Sequence, residues 1–307
     1  MRAILRFGSL PPLLTLFIGG PVCAQPPLPD GSSVLEQAHQ VVRALDLESV
    51  SYTPVKNNGA EDAPVLVNRS AGDRPWSNRF ESHLRNVPGK GADLLVIYHS
   101  GTLRGTGVLV RRDDGPDARH RVNIWLPALR KTRRIATPTP SEGWHGSLFT
   151  YDEVMLGRPS DLEAQVTGTR KLGRCLGSMR IPEADRDRYT RHIPEESCDH
   201  HDKAVYELNS TPRRATWFDR QEALIGTQDG APYVVRYFLN GELIKTVETD
   251  WQPISSDTPT LYPRFSYAYT PDRDRESLIY LPADGITLNE ERPAAFWSEL
   301  TLRRIRR

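Results

Sequence analysis

Two apolar runs meet at Asn240-Gly241, and this junction limits the folds open to the chain more than any other feature. Asn-Gly accepts positive φ at both central positions of a two-residue hairpin turn. Residues 233–239 and 242–251 should therefore pair antiparallel, with Leu239 opposite Glu242 and Phe238 opposite Leu243. Carried outward, that register puts Val234, Phe238, Leu243 and Val247 on one face and Tyr233, Val235, Tyr237 and Ile244 on the other. Both faces are apolar. A sheet with one solvated face would be polar there. The hairpin needs cover on both sides, from a curved sheet that packs on one side and encloses something on the other, or from a sandwich or barrel with a filled core.

Runs of the same kind recur. Residues 94–99, 105–112 and 121–126 form one block, with the turn cluster Asp113-Asp114-Gly115-Pro116 between the last two. A second block holds 203–209, 214–219, 223–227, 261–270 and 277–281. Strands in succession, with few helices between them, predict antiparallel sheet rather than βαβ units. Residues 52–91 carry only a weak pattern. One helix stands out, opened by the capping box Ser33–Glu36 and striped by Val34, Leu35, Ala38, Val41, Val42 and Leu45. Such a stripe must pack on the sheet or cover an apolar opening.

The first residues point to export. Arg2 and Arg6 precede an apolar run broken by prolines, and Val22-Cys23-Ala24 supplies small side chains at −1 and −3 of a cut after Ala24. The run is too short to span a bilayer, and Val22 before Cys23 is bulkier than the glycine, alanine or serine that lipidation of Cys23 favours. The division expected is a signal peptide over 1–24, a proline-rich linker over 25–31 and one domain over 32–307. Cutting there removes two of the 40 basic residues and no acid, leaving 38 against 39. That balance gives no overall field for nucleic acid. Cys175 and Cys198 then remain as an even pair in an oxidising compartment, so a disulfide is expected. Asp199, His200 and His201 follow Cys198, but Cys175 has no neighbouring ligand to complete a metal set. Neither a metal nor a cofactor is expected.

Catalytic patterns are sparse. The chain has no G-x-S-x-G, H-E-x-x-H or phosphate-binding glycine loop. His99-Ser100 and His145-Gly146-Ser147 each place a histidine beside a serine, but adjacency in sequence makes no triad. The most distinctive stretch covers residues 121–154: a strand ending in Trp125-Leu126-Pro127, the cations Arg130, Lys131, Arg133 and Arg134, a proline-rich loop, then Gly146-Ser147-Leu148-Phe149-Thr150-Tyr151-Asp152-Glu153. Aliphatic and aromatic groups beside four cations suit an anionic amphiphile; on chemistry alone a solvated basic turn between strands is the simpler reading.

W-L-P-A-L-R-K-T-R-R-I followed by G-S-L-F-T-Y-D-E-V resembles the hallmark of the LolA-like family of outer-membrane lipoprotein-sorting proteins, whose members show "YLPALRRVRRI" and then "GSDFSYEDL". The chain departs at Leu148, where the family usually has Asp, and in the longer loop over 137–145. Gly241-Glu242-Leu243-Ile244-Lys245-Thr246 is similar to the family's "GKLVKTL". The cysteine segment, 173–201, lies outside the family pattern and reads as an insertion. The resemblance implies a curved, half-open antiparallel β-barrel closed by helices, with an apolar cavity for acyl chains. It implies a soluble periplasmic carrier or sensor of lipoproteins or other envelope lipids, working between the inner and outer membranes and not as an enzyme. The helix over 34–45 would close the cavity, with Val34, Leu35, Val41, Trp125, Leu126, Phe238 and Val247 as lining candidates. Arg130, Lys131, Arg133 and Arg134 would meet head groups or an inner-membrane transporter. An envelope hydrolase using a histidine–serine pair and a non-catalytic assembly factor are the alternatives.

Overall fold

The computed structural model describes residues 27–57, 60–114, 120–135, 139, 141–255 and 258–304. The leader and its cut after Ala24 lie outside the described residues.

One antiparallel sheet of fifteen strands carries the fold. In chain order these are β1 (Ser49–Tyr52), β2 (Val65–Ser70), β3 (Trp76–Val87), β4 (Gly91–Tyr98), β5 (Gly107–Asp113), β6 (Arg121–Leu126), β7 (Lys131–Ile135), β8 (Leu162–Lys171), β9 (Ala204–Pro212), β10 (Arg220–Gly226), β11 (Pro232–Leu239), β12 (Glu242–Pro253), β13 (Leu261–Tyr269), β14 (Arg275–Tyr280) and β15 (Ile286–Leu288). They lie in the order β8-β9-β10-β11-β12-β13-β14-β2-β3-β4-β5-β6-β7, with β1 added to β3 and β15 to β1. Among the described residues the two ends, β8 and β7, are not paired to each other, so the sheet stays open. Helix α1 (Gly31–Val42) and the short C-terminal α2 (Glu299–Arg304) flank it.

The expected hairpin forms, with Asn240 at φ 54° and Gly241 at φ 83°, Leu239 opposite Glu242 and Phe238 opposite Leu243. One step further the register shifts: Ile244 is an extra residue, Tyr237 pairs with Lys245, and Val235 pairs with Val247. A bulge of this kind moves every later side chain to the other face. Val247 therefore joins Val235 and Tyr237 on the concave face, not Val234 on the convex one.

Each half of the convex face has its own cover. Over β2, β10, β13 and β14, the cysteine segment packs Leu172, Leu176, Met179 and Ile181 onto Val67, Leu224, Phe265 and Leu278. Cys175 and Cys198 are joined, and short strands at 176–177 and 196–197 pair beside the bond. Two carboxylates on β12 anchor the segment. Glu248 accepts hydrogen bonds from Arg174 through both terminal nitrogens (2.8 Å each), from Gly177 N (2.7 Å) and from Tyr269 Oη (2.8 Å). Asp250, fully buried, accepts from Ser197 and from His200, each at 2.9 Å, and from Arg264. Burial alone would raise the Asp250 carboxyl, but hydrogen bonds from His200 and Gln252 and the Arg264 charge hold it below its ordinary value. Over β4–β6, Trp297 and Leu302 of the C-terminal segment bury Leu95, Ile97 and Leu109. The cysteine segment covers Val234, but past the bulge the convex side of the hairpin carries Thr246, Glu248 and Asp250, so the second apolar face expected from the sequence does not form.

Several boundaries differ from the sequence expectation. The helix begins at Gly31, because Asp30 is the true N-cap and accepts from Ser33 N at 3.0 Å. It also lies close on β8: a Cβ at Gly31 would sit 2.2 Å from Ala164 O. The weak region 52–91 holds β2 and the twelve-residue β3, whose polar residues Glu81, His83 and Arg85 alternate with Phe80, Ser82 and Leu84. Residues 214–219 form no strand; they make an irregular loop at the cavity edge.

Candidate functional site

The concave side is half filled and half hollow. In the filled half, the segment 144–156 lays Trp144, Phe149, Tyr151 and Met155 onto the inner faces of β2–β6. Trp144 Nε1 donates to Tyr98 Oη at 3.0 Å, and Leu148 N donates to Ser277 Oγ at 2.9 Å. Beside this plug lies a half-enclosed, mostly apolar cavity of about 870 Å³. Its floor includes Val235, Val247 and Ile279, its far wall Leu84, Leu94 and Val96, and its cover Leu35, Val41 and Val42 of α1. The loop Pro212–Phe218 forms part of its edge.

Three charged groups at or just beneath the cavity wall, Lys245, Glu153 and Arg43, are held by local partners. Lys245 Nζ pairs with Glu153 at 2.8 Å, with both side chains largely buried. The same ammonium donates to Leu148 O at 3.2 Å and lies 4.0 Å from the Trp217 ring centroid and 4.6 Å from that of Tyr237. Burial lowers the lysine from its ordinary value, against the pull of Glu153. Burial also pushes the Tyr237 hydroxyl well up, reinforced by Glu153. An ion pair capped by two rings ties the floor to the plug while presenting aromatic surface.

Arg43, at the end of α1, donates to the carbonyls of Asp152 (2.8 Å), Glu153 (3.2 Å) and Val154, in the turn Asp152–Leu156. Burial and then the neighbouring Arg112 lower this guanidinium to about 9. The contact fixes the cover to the plug. His39, one turn earlier, is lowered to about 4 by burial and then by Arg43 and Arg112.

The lining candidates separate by strand alternation. Leu35, Val41 and Val247 border the cavity, and Val247 does so because of the bulge. Val34, Trp125, Leu126 and Phe238 do not border it. Val34 turns from the hollow to pack on Val166, Leu208 and Ile225. Trp125, one residue past the inward Ile124, lies on the convex face against the C-terminal cover. Leu126 closes its strand opposite Lys131, and Phe238, next to the inward Tyr237, lies under the Arg220 guanidinium at 3.7 Å. Arg130, Lys131, Arg133 and Arg134 stand together, exposed, on the free edge strand β7 and the turn before it. Sequence reasoning missed Arg43, Glu153, Trp217 and Lys245. A lysine inside the apolar run Leu243-Ile244-Lys245-Thr246-Val247 was the available signal for the last.

The histidine–serine neighbours are spent on structure. Ser100 Oγ accepts from Arg79 N at 2.8 Å, and Ser147 Oγ donates to Trp144 O at 2.6 Å. A tighter group occurs elsewhere: His83 Nδ1 lies 2.8 Å from Ser51 Oγ, and its Nε2 lies 3.8 Å from Glu81. Both Ser51 and His83 are buried, neither borders the cavity, and Phe296 packs edge-on against the imidazole. Among the described residues, Cys175, Glu196 and Cys198 form the one cluster with metal-ligand spacing, and its two sulfurs are bonded to each other.

No protein family matches the chain by sequence, and no curated protein does. Solved structures match it by shape. An outer membrane lipoprotein-sorting protein domain from Vibrio parahaemolyticus superposes with a TM-score of 0.66 at 13% identity, over 89% of this chain and 98% of its own. A DUF1329 family protein from Desulfovibrio piger gives the same score and identity over 89% and 100%. A LolA superfamily protein from Nitrosomonas europaea gives 0.54 at 12% identity over 88% and 98%. The chain has the fold of the LolA-like lipoprotein-sorting proteins.

Proposed function

We propose that the protein is a periplasmic carrier that shelters the acyl chains of a lipoprotein or another envelope lipid. The observation that carries this reading is the apolar hollow of about 870 Å³ left between the floor, the plug and α1. Its size lies in the upper part of the range of small-molecule sites, which are mostly apolar with few polar groups. Each methylene moved from water into it contributes about 0.8 kcal/mol, so one long chain supplies ample binding energy. The disulfide between Cys175 and Cys198 suits an oxidising compartment. With a leader over 1–24 and a linker over 25–31, the remaining 32–307 would act as one carrier domain. An inner-membrane transporter would be a fitting donor of cargo.

The test is native mass spectrometry of the protein taken from the periplasm, with lipid extraction in parallel. The expected result is co-purified acyl-chain mass, or its uptake on adding long-chain amphiphiles. Val235→Phe with Val247→Phe should abolish that uptake, since both side chains face the hollow. An empty native protein indifferent to added amphiphiles would rule the reading out.

A further inference from the structure

The free edge strand β7 and the helix α2 packed against β5, β6 and β7 make a basic surface that the cavity does not use. Arg130, Lys131, Arg133 and Arg134 are exposed, and none forms an ion pair or a side-chain hydrogen bond among the described residues. Helix α2 adds the exposed Arg303 and Arg304; of the two, Arg303 lies 3.8 Å from Glu299. Two leucines accompany them, Leu129 and Leu300, 52% and 51% exposed and the most exposed large apolar residues described.

Charges on an edge strand commonly serve only to prevent pairing with another sheet. The opposite edge shows what that looks like here. On β8, Arg170 meets Glu207 at 2.7 Å, Glu163 meets Arg213 at 3.8 Å, and α1 lies against the strand. Blunting an edge needs charge of either sign, and β8 uses both. The β7 edge carries cations alone. An acidic peptide adding a strand would engage the backbone edge, but these cations come from a turn, a strand and a helix, together with exposed leucines. Basic side chains with a few apolar ones suit the interface of a bilayer.

We propose that this edge is where the protein rests on an anionic phospholipid bilayer, with the arginines and the lysine on phosphate groups and Leu129 and Leu300 at the acyl boundary. Each cation held near such a surface tightens binding about fivefold, and ions weaken the attraction.

The test uses protein starting at Gln25, which keeps every described element and omits the apolar leader. It is sedimented with vesicles of phosphatidylcholine alone, or with about one third phosphatidylglycerol added. Binding should be at least several hundredfold tighter to the anionic vesicles and should fall as salt rises. Replacing Arg130, Lys131, Arg133 and Arg134 together by Ser should cost several hundredfold with an unchanged circular dichroism spectrum. Arg170→Ser with Lys171→Ser, at the other edge, should cost nothing. Leu129→Ser with Leu300→Ser should remove the binding that survives high salt. Equal affinity for both vesicle types, no vesicle binding, or full binding by the four-serine protein would each overturn the proposal, as would capture of an acidic peptide without vesicle binding. The cargo reading is tested separately: Val235→Phe with Val247→Phe should empty the cavity and leave vesicle binding intact.

Discussion

The two faces of the sheet both present apolar side chains and end in different states. Under the cysteine segment the convex face is closely packed: Leu176, Val205, Phe265, Tyr267 and Leu278 have no exposed surface. The concave face keeps a hollow of about 870 Å³. Hydrophobicity alone does not separate them; the covers do. The cysteine segment is held by a covalent bond and by buried carboxylates with three or more donors each. Helix α1 reaches the plug through Arg43, and the floor reaches it through Lys245. One cover is fastened at many points, the other at few. The proposed carrier role would use that asymmetry, because a fold can be stable in one region and open in another.

The largest effect expected is on the fastened side. Cys175→Ser with Cys198→Ser opens a loop with a sequence separation of 23, and on the chain-entropy account this should cost about 3 kcal/mol. Thermal unfolding should show the loss, while lipid uptake at low temperature should persist. Equal loss of both would mean that the two faces are not independent.

Val234 and Val235 sharpen the comparison, being neighbours on opposite faces. Val234→Phe enlarges a side chain that is 1% exposed in the packed cover and should cost about 1–3 kcal/mol. Val235→Phe enlarges one that borders the hollow and should leave stability close to the native value. Denaturant titration of the two proteins decides it; equal costs would mean that the hollow is not free space.

A further effect concerns pH. Burial lowers His39 and His145 to about 4, from an ordinary value near 6.5, so both stay neutral in the fold. The unfolded chain takes up these protons first, so their penalty is absent above pH 6.5 and grows as pH falls toward 4. The midpoint of thermal unfolding should drop by a few degrees between pH 7 and pH 5. His39→Gln with His145→Gln should flatten that dependence; an unchanged slope would assign it to other groups.

How much of this was legible followed local rules. The Asn240-Gly241 turn, the successive strands after it and the even cysteine pair all rest on short-range signals, and all appear. Strand β3 escaped because its outward Glu81, His83 and Arg85 break the apolar rhythm, although the C-terminal segment lies over them: Phe296 packs on His83 and Trp297 on Arg85. Trp125 misled because a large aromatic beside a motif reads as lining, whereas its side was set by alternation from Ile124. Arg43 and Glu153 could not be paired from sequence, since they meet across 110 positions.

The extra residue at Ile244 reaches further than its size suggests. It acts as a parity switch for the rest of β12, sending Lys245, Val247 and Thr249 inward and Glu248 and Asp250 outward. Excising that single position would reverse the whole series, carrying two anchoring acids into the oily interior and stranding the lysine outside. Chains of this design should therefore tolerate many replacements along the strand yet almost no change in its count.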